Sequence, residues 1–196
     1  NILGGNNGIF NPDWTNGFMT INHIISDNSD NIWVVNPYSE LNNNVIAIKH
    51  DNNWYHIQDN YDGYIPKEIS IDKNNNLWIS YLFSEKMDEI SPYSPGGIRM
   101  VEFNEIENEF DDIWHINWLD ELQNLNIWSL VISSDNYGNE ILWVMTDYGI
   151  MGYILDISYT YSGNIIVDFT KIQDQYFFQG LNYNEGSKLR LDNNNN

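Results

Sequence analysis

Apolar residues along this chain fall in short bursts, separated by stretches rich in Asn, Asp and Gly. The bursts favour β-branched and aromatic residues, and the stretches between them favour turns, which predicts strands rather than helices. Four bursts align on a shared aspartate: Ile24-Ile25-Ser26-Asp27, Ile69-Ser70-Ile71-Asp72, Ile132-Ser133-Ser134-Asp135 and Leu189-Arg190-Leu191-Asp192. Each has an aliphatic residue three before the Asp and a small, Asn-rich turn after it. In three copies the turn leads to an aliphatic-Trp-aliphatic triplet: Ile32-Trp33-Val34, Leu77-Trp78-Ile79 and Leu142-Trp143-Val144. Trp follows Asp by six residues in the first two copies and by eight in the third.

The four aspartates lie 45, 63 and 57 residues apart. A four-stranded propeller blade takes roughly 40 to 50 residues, so the first repeat fits closely and the others need longer loops. Strand one ends at the Asp and strand two carries the Trp. Strand three reads Val45–Lys49, Ile98–Glu102 and Tyr153–Leu155; strand four reads Trp54–Ile57, Ile113–Ile116 and Ile165–Phe169. The blades are expected near residues 20–60, 64–118 and 126–172, with partial blades at 1–19 and 176–196. The best helix candidate, 118–125, is a short connector.

A propeller is favoured over a sandwich because strand two is apolar on both faces. Trp33 and Val35 point one way, Ile32 and Val34 the other. Sandwich strands normally keep one wet face, whereas stacked blades bury both faces of their inner strands. Three blades leave two open edges, which natural sheets avoid. Neighbouring blades are therefore expected beyond Asn1 and Asn196.

Asp72–Ile79, and again Asp27–Val35, resemble the two-component-regulator propeller repeat, which reads roughly D-x-x-G-N-L-W-I-G. Asp51-Asn52-Asn53-Trp54-Tyr55 is similar to a turn in PorZ-type propellers, which are associated with type IX secretion. Asp30 and Asn75 stand where the family has Gly, and the Gly after the Trp triplet is missing. The resemblance implies an all-β propeller of an exported bacterial protein, in the periplasm or at the cell surface. It implies either a part in surface assembly and type IX secretion, or ligand sensing for a hybrid two-component regulator.

Composition narrows the chemistry. Eight Lys+Arg against 28 Asp+Glu give a net charge of −20, which repels phosphate backbones and anionic membranes. The absence of cysteine removes disulfides, thiolate zinc sites and Cys nucleophiles. No apolar run is long enough to span a bilayer as a helix.

Asp72-x-Asn74-x-Asn76 and Asp192-x-Asn194-x-Asn196 match the start of a calcium loop. From Asp72, however, position six is Leu77 rather than Gly, and position twelve is Phe83 rather than Glu. Asx turns account for the pattern better. His23, His50, His56 and His115 show no zinc-motif spacing; His56 and His115 fall at matching places in strand four and read as packing residues. Pairs such as Asp111-Asp112 and Asp120-Glu121 do not establish the two-carboxylate geometry of glycoside hydrolysis. No nucleophile elbow, phosphate loop or dinucleotide fingerprint occurs, so no cofactor is expected.

The motif tryptophans read as core. Contacts with a protein or glycan partner are expected instead in the loops between strands two and three. These loops hold Tyr38, the stretch 81–97 with Tyr81, Phe83 and Tyr93, and Tyr148. The expected function is non-enzymatic binding or scaffolding. A polysaccharide-acting propeller enzyme is the alternative, and it would need His and acids converging at one mouth of the channel.

Overall fold

The computed structural model describes residues 21–37, 45–57, 65–85, 94–116, 120–161, 165–184 and 186–192. Three antiparallel four-stranded meanders follow one another along the chain. The first comprises β1 (His23–Ser26), β2 (Ile32–Val35), β3 (Ile46–His50) and β4 (Asn53–His56). The second comprises β5 (Ile65–Ile71), β6 (Leu77–Ser84), β8 (Ile98–Asn104) and β9 (Glu109–Ile116), with the short β7 (Ser94–Pro95) pairing on the end of β6. The third comprises β10 (Ile127–Ser134), β11 (Glu140–Thr146), β12 (Ile150–Tyr159) and β13 (Ile165–Lys171). Of the helix expected at 118–125, residues 118 and 119 lie outside the described residues, and the remainder holds a single 3-10 turn at Asp120–Leu122.

The turn between the first two strands is built the same way three times. Asp27 Oδ1 accepts the N–H groups of Ser29 and Asn31 at 2.9 Å each. Its Oδ2 accepts Asn31 Nδ2 and the Trp33 indole N–H, also at 2.9 Å. Asp72 repeats all four bonds with Asn74, Asn76 and Trp78. The fourth turn position has positive φ each time: Asp30 (63°), Asn75 (66°) and Gly138 (84°). The Gly of the resembled motif is thus replaced by the two residue types that best tolerate this conformation.

Asp135 makes the same bonds to Tyr137 and Asn139. It has no indole partner, because two residues are added in the strand rather than in the turn. Ile141, paired with Ser133, takes the place of Trp33 and Trp78. Trp143 lies one pleat further along on the same face and reaches back to Ser133 Oγ (3.0 Å).

The sheets stack face to face. Trp33, Ile48 and Val35 of the first pack on Ile69, Leu77, Ile79 and Val101 of the second. Trp78, Ile98 and Met100 on the opposite face of the second pack on Leu130, Leu142, Val144 and Tyr153 of the third. The Trp face of each sheet therefore covers the other face of the next. Strand two of the first sheet is buried on both faces as expected, Trp33 and Val35 on one and Val34 (1 % exposed) with Ala47 and Trp54 on the other, except at its start, where Ile32 (37 %) stays open beside Ile24 (54 %). Trp143, on the far face of the third, is only partly buried and meets Phe177 edge-on at 5.8 Å.

The first strands lie side by side, β5 between β1 and β10. One bond recurs along them. The N–H three residues before each motif Asp donates to a side chain on the preceding first strand. Ile69 N–H meets His23 Nδ1 (3.1 Å), Ile132 N–H meets Ser70 Oγ (3.3 Å), and Leu189 N–H meets Ser129 Oγ (2.9 Å). The fourth copy of the motif thus also lies beside a preceding first strand, β10, although the acceptor's place on that strand differs among the three cases. The neighbouring turns are also tied, by Asn28 N–H to Asn75 Oδ1 (3.1 Å) and by Lys73 N–H to Glu140 Oε1 (2.7 Å).

Candidate functional site

Of the five expected contact residues, Tyr38 and Tyr93 lie outside the described residues. Tyr81 is not a loop residue. β6 runs on to Ser84, and Tyr81 is a core side chain, 2 % exposed. Phe83 is on the same strand, partly buried, with its N–H donated to Asn126 Oδ1 (2.9 Å). The apolar run beyond the Trp triplet extends the strand, and pairing with β7 uses its last residues. Tyr148 is where the sequence places it, in the turn between β11 and β12, and it is 61 % exposed.

That turn is short and fixed. Thr146 N–H donates to Gly149 O (2.8 Å), and Tyr148 N–H donates to Thr146 Oγ1 (3.1 Å). Asp147 is held by Asn126 N–H (3.0 Å) and by the Trp128 indole (2.8 Å). Tyr176 stands beside Tyr148, with ring centroids 6.2 Å apart and planes at 46°. The next residue, Phe177, exchanges both backbone bonds with Ile150, at 2.7 and 2.9 Å. A cleft of about 480 Å³ opens here, lined by the two tyrosines, Asp147, Gln179, Leu181 and Asn182. Burial, with the Glu121 carboxylate behind it, pushes the Tyr176 phenol up. Both effects disfavour the phenolate. Tyr176 was missed because it follows the third repeat in a stretch that no period marks.

A second polar group sits on the first strands. Glu68 is 1 % exposed on β5. Its carboxylate accepts the Ser129 hydroxyl and pairs with Lys188 Nζ at 3.0 Å, with Arg190 at 3.8 Å. Its backbone N–H donates to Ser80 Oγ (2.9 Å). Burial holds the nearby His23 imidazole below its ordinary value, with Glu68 pulling the other way and Lys188 and Arg190 adding to the lowering. The visible signal was Lys67-Glu68 inside an otherwise apolar strand.

This group contains one carboxylate and one imidazole. Each is engaged: the carboxylate by a hydroxyl and a cation, the imidazole by a main-chain donor. The arrangement ties β1, β5, β10 and the fourth motif copy together rather than leaving a free acid and base facing each other. Among the described residues no three His, Asp or Glu side chains are grouped to hold a metal. No described helix is long and apolar enough to cross a membrane.

Comparison with protein-family models, characterised proteins and solved structures returns no match.

Proposed function

We propose that the chain is part of a β-propeller serving as a non-enzymatic binding module. Three consecutive meanders, stacked with the same faces in contact and with their first strands adjacent, support the propeller arrangement. The Ile69, Ile132 and Leu189 bonds link each first strand to the next copy of the motif, the last of them bringing the fourth copy beside β10. The half-open Trp143 face is then the surface that the fourth sheet covers.

Tyr148 carries the binding reading. A large aromatic ring is held in water by a turn fixed by the Thr146–Gly149 and Tyr148–Thr146 bonds, beside a second ring and a polar-lined cleft. Rigid scaffolds with functional loops at the sheet ends are the common way to present such a contact. An extracytoplasmic location, with a part in surface assembly or type IX secretion, rests on the resemblance of the repeat alone.

Arrays of peptides and soluble oligosaccharides, probed with the wild type and with Tyr148→Ala, test the module. Support is a ligand retained by the wild type and lost by the folded variant. A ligand that both bind equally moves the site elsewhere. Turnover of any retained ligand would replace binding with catalysis.

A further inference from the structure

We infer that the cleft between Tyr148 and Tyr176 is a subsite for a neutral sugar that stacks on Tyr148. The inference rests on the binding reading above and names the ligand class for the same site.

The two rings make a corner, not a slot. With centroids 6.2 Å apart and planes at 46°, no flat group fits between them, since stacking on both sides needs a gap of about 7 to 8 Å. A ligand must instead lie against the outward side of Tyr148, whose ring is 61 % exposed. A pyranose offers a flat C–H face to such a ring and hydroxyls at its edges.

The cleft's polar side chains suit hydroxyls. Gln179 and Asn182 each carry an amide that both donates and accepts, as a sugar hydroxyl does. Anionic ligands are disfavoured, because the net charge of −20 and the Asp147 carboxylate in the lining repel them. Asp147 itself is a poor direct ligand, because both its oxygens already accept hydrogen bonds. Its Oδ1 accepts from the Trp128 indole (2.8 Å) and Asn126 Nδ2 (3.3 Å). Its Oδ2 accepts from Asn126 N–H (3.0 Å) and Nδ2 (3.1 Å).

The backbone supplies an independent observation. Phe178, bulky and 69 % exposed, sits at φ +52°, a conformation rare for such residues. Tyr183 Oη donates to Phe178 O (2.8 Å) and holds the turn that brings residues 179–182 against Tyr148. Strain kept at an exposed turn points to use. The volume, about 480 Å³, lies within the roughly 300 to 1,000 Å³ of small-ligand sites.

The test is calorimetric titration of the full chain with laminarihexaose, cellohexaose, chitohexaose and mannohexaose, alongside oligogalacturonate and oligolysine as charged probes. Wild type, Tyr148→Ala, Gln179→Ala and Tyr137→Ala are compared, each first shown to unfold cooperatively. Tyr137 is a 91 % exposed tyrosine in another turn and serves as the control. At least one neutral hexaose is expected to bind. Tyr148→Ala should weaken it tenfold or more, Gln179→Ala several-fold and Tyr137→Ala not at all. Tighter binding of a charged probe, no binding of any neutral probe at millimolar concentration, or binding indifferent to Tyr148 would each overturn the inference. If a peptide rather than a sugar depends on Tyr148, the sugar inference fails and the binding reading stands. If nothing depends on Tyr148, both fail.

Discussion

The Asp72 carboxylate accepts the Trp78 indole N–H at 3.0 Å, and both side chains are buried, at 2 % and 0 % exposure. One oxygen of Asp72 organises the turn and the other anchors the tryptophan that packs the second sheet on the third. Asp72→Ala leaves an indole and two backbone donors without their partner in a dry site, and should cost about 3 kcal/mol or more. Trp143→Phe removes one bond to Ser133 in a partly open site and should cost about 1 kcal/mol. Urea denaturation midpoints with unchanged m-values check both. Equal losses would mean that the Asp–indole bond carries no special weight.

The turns also make a prediction about backbone strain. Asp30 and Asn75 occupy the same left-handed position, but their side chains differ in employment. Asn75 Oδ1 accepts from Asn28 N–H, and its Nδ2 donates to Ser29 Oγ (3.0 Å), which ties neighbouring turns. Asp30→Gly should therefore stabilise the chain, by about 0.5 to 1 kcal/mol, through relief of the left-handed conformation. Asn75→Gly should be neutral or destabilising, because the same relief is offset by lost bonds. Thermal unfolding of the two variants separates the cases. A stabilised Asn75→Gly would show that the bonds between turns contribute little.

Much of the architecture is legible in the sequence because it is local. An Asp, a turn and a Trp at fixed spacing define a hairpin, and three copies define three meanders. The strand runs around Ile46, Ile98 and Ile165 lie where alternation and β-branching put them. What escaped depends on neighbours. Tyr81 reads as a loop aromatic because nothing in sequence shows β7 folding back to extend β6. Ile32 reads as buried because its face is apolar, and Val34 on that face is buried, yet Ile32 at the strand's start is left open, which periodicity does not mark. Glu68, Ser129 and Lys188 meet across 120 residues of chain, and Tyr176 joins Tyr148 through pairing of Phe177 with Ile150. Neither encounter leaves a periodic mark.

Ser129 connects two of those encounters. Its hydroxyl donates to Glu68 and accepts Leu189 N–H, so it joins the second sheet, the third and the fourth motif copy. Ser129→Ala should destabilise by about 1 to 3 kcal/mol, because Glu68 loses a partner in a buried site. It should also raise amide exchange in residues 187–191 more than in β10. Hydrogen exchange with mass spectrometry reads both regions in one experiment. Uniform loss of protection would mean global weakening and no specific tie to the segment.

Acid should weaken the fold in the histidine range. Burial is the leading cause that holds His23 below its ordinary value, and burial alone does the same for His56. His23 Nδ1 also accepts Ile69 N–H, which a protonated ring cannot do. The unfolded chain takes up a proton at each imidazole near pH 6.5, whereas the folded chain does so only at lower pH. Between those points the unfolded state binds more protons, so stability rises with pH and is lost as pH falls through the window. Glu140 acts in the opposite sense: burial raises its carboxyl above the ordinary carboxylate value, so its contribution grows as pH falls through the raised value. Urea titrations at steps between about pH 7.5 and 5.5, compared between the wild type and His23→Asn, cancel the Glu140 contribution and leave that of His23. In His23→Asn the amide oxygen can take over the bond from Ile69 N–H without titrating, so the variant should keep its stability near neutral pH and lose part of the slope. An unchanged slope in His23→Asn would assign the acid sensitivity to His56 and remove His23 from it.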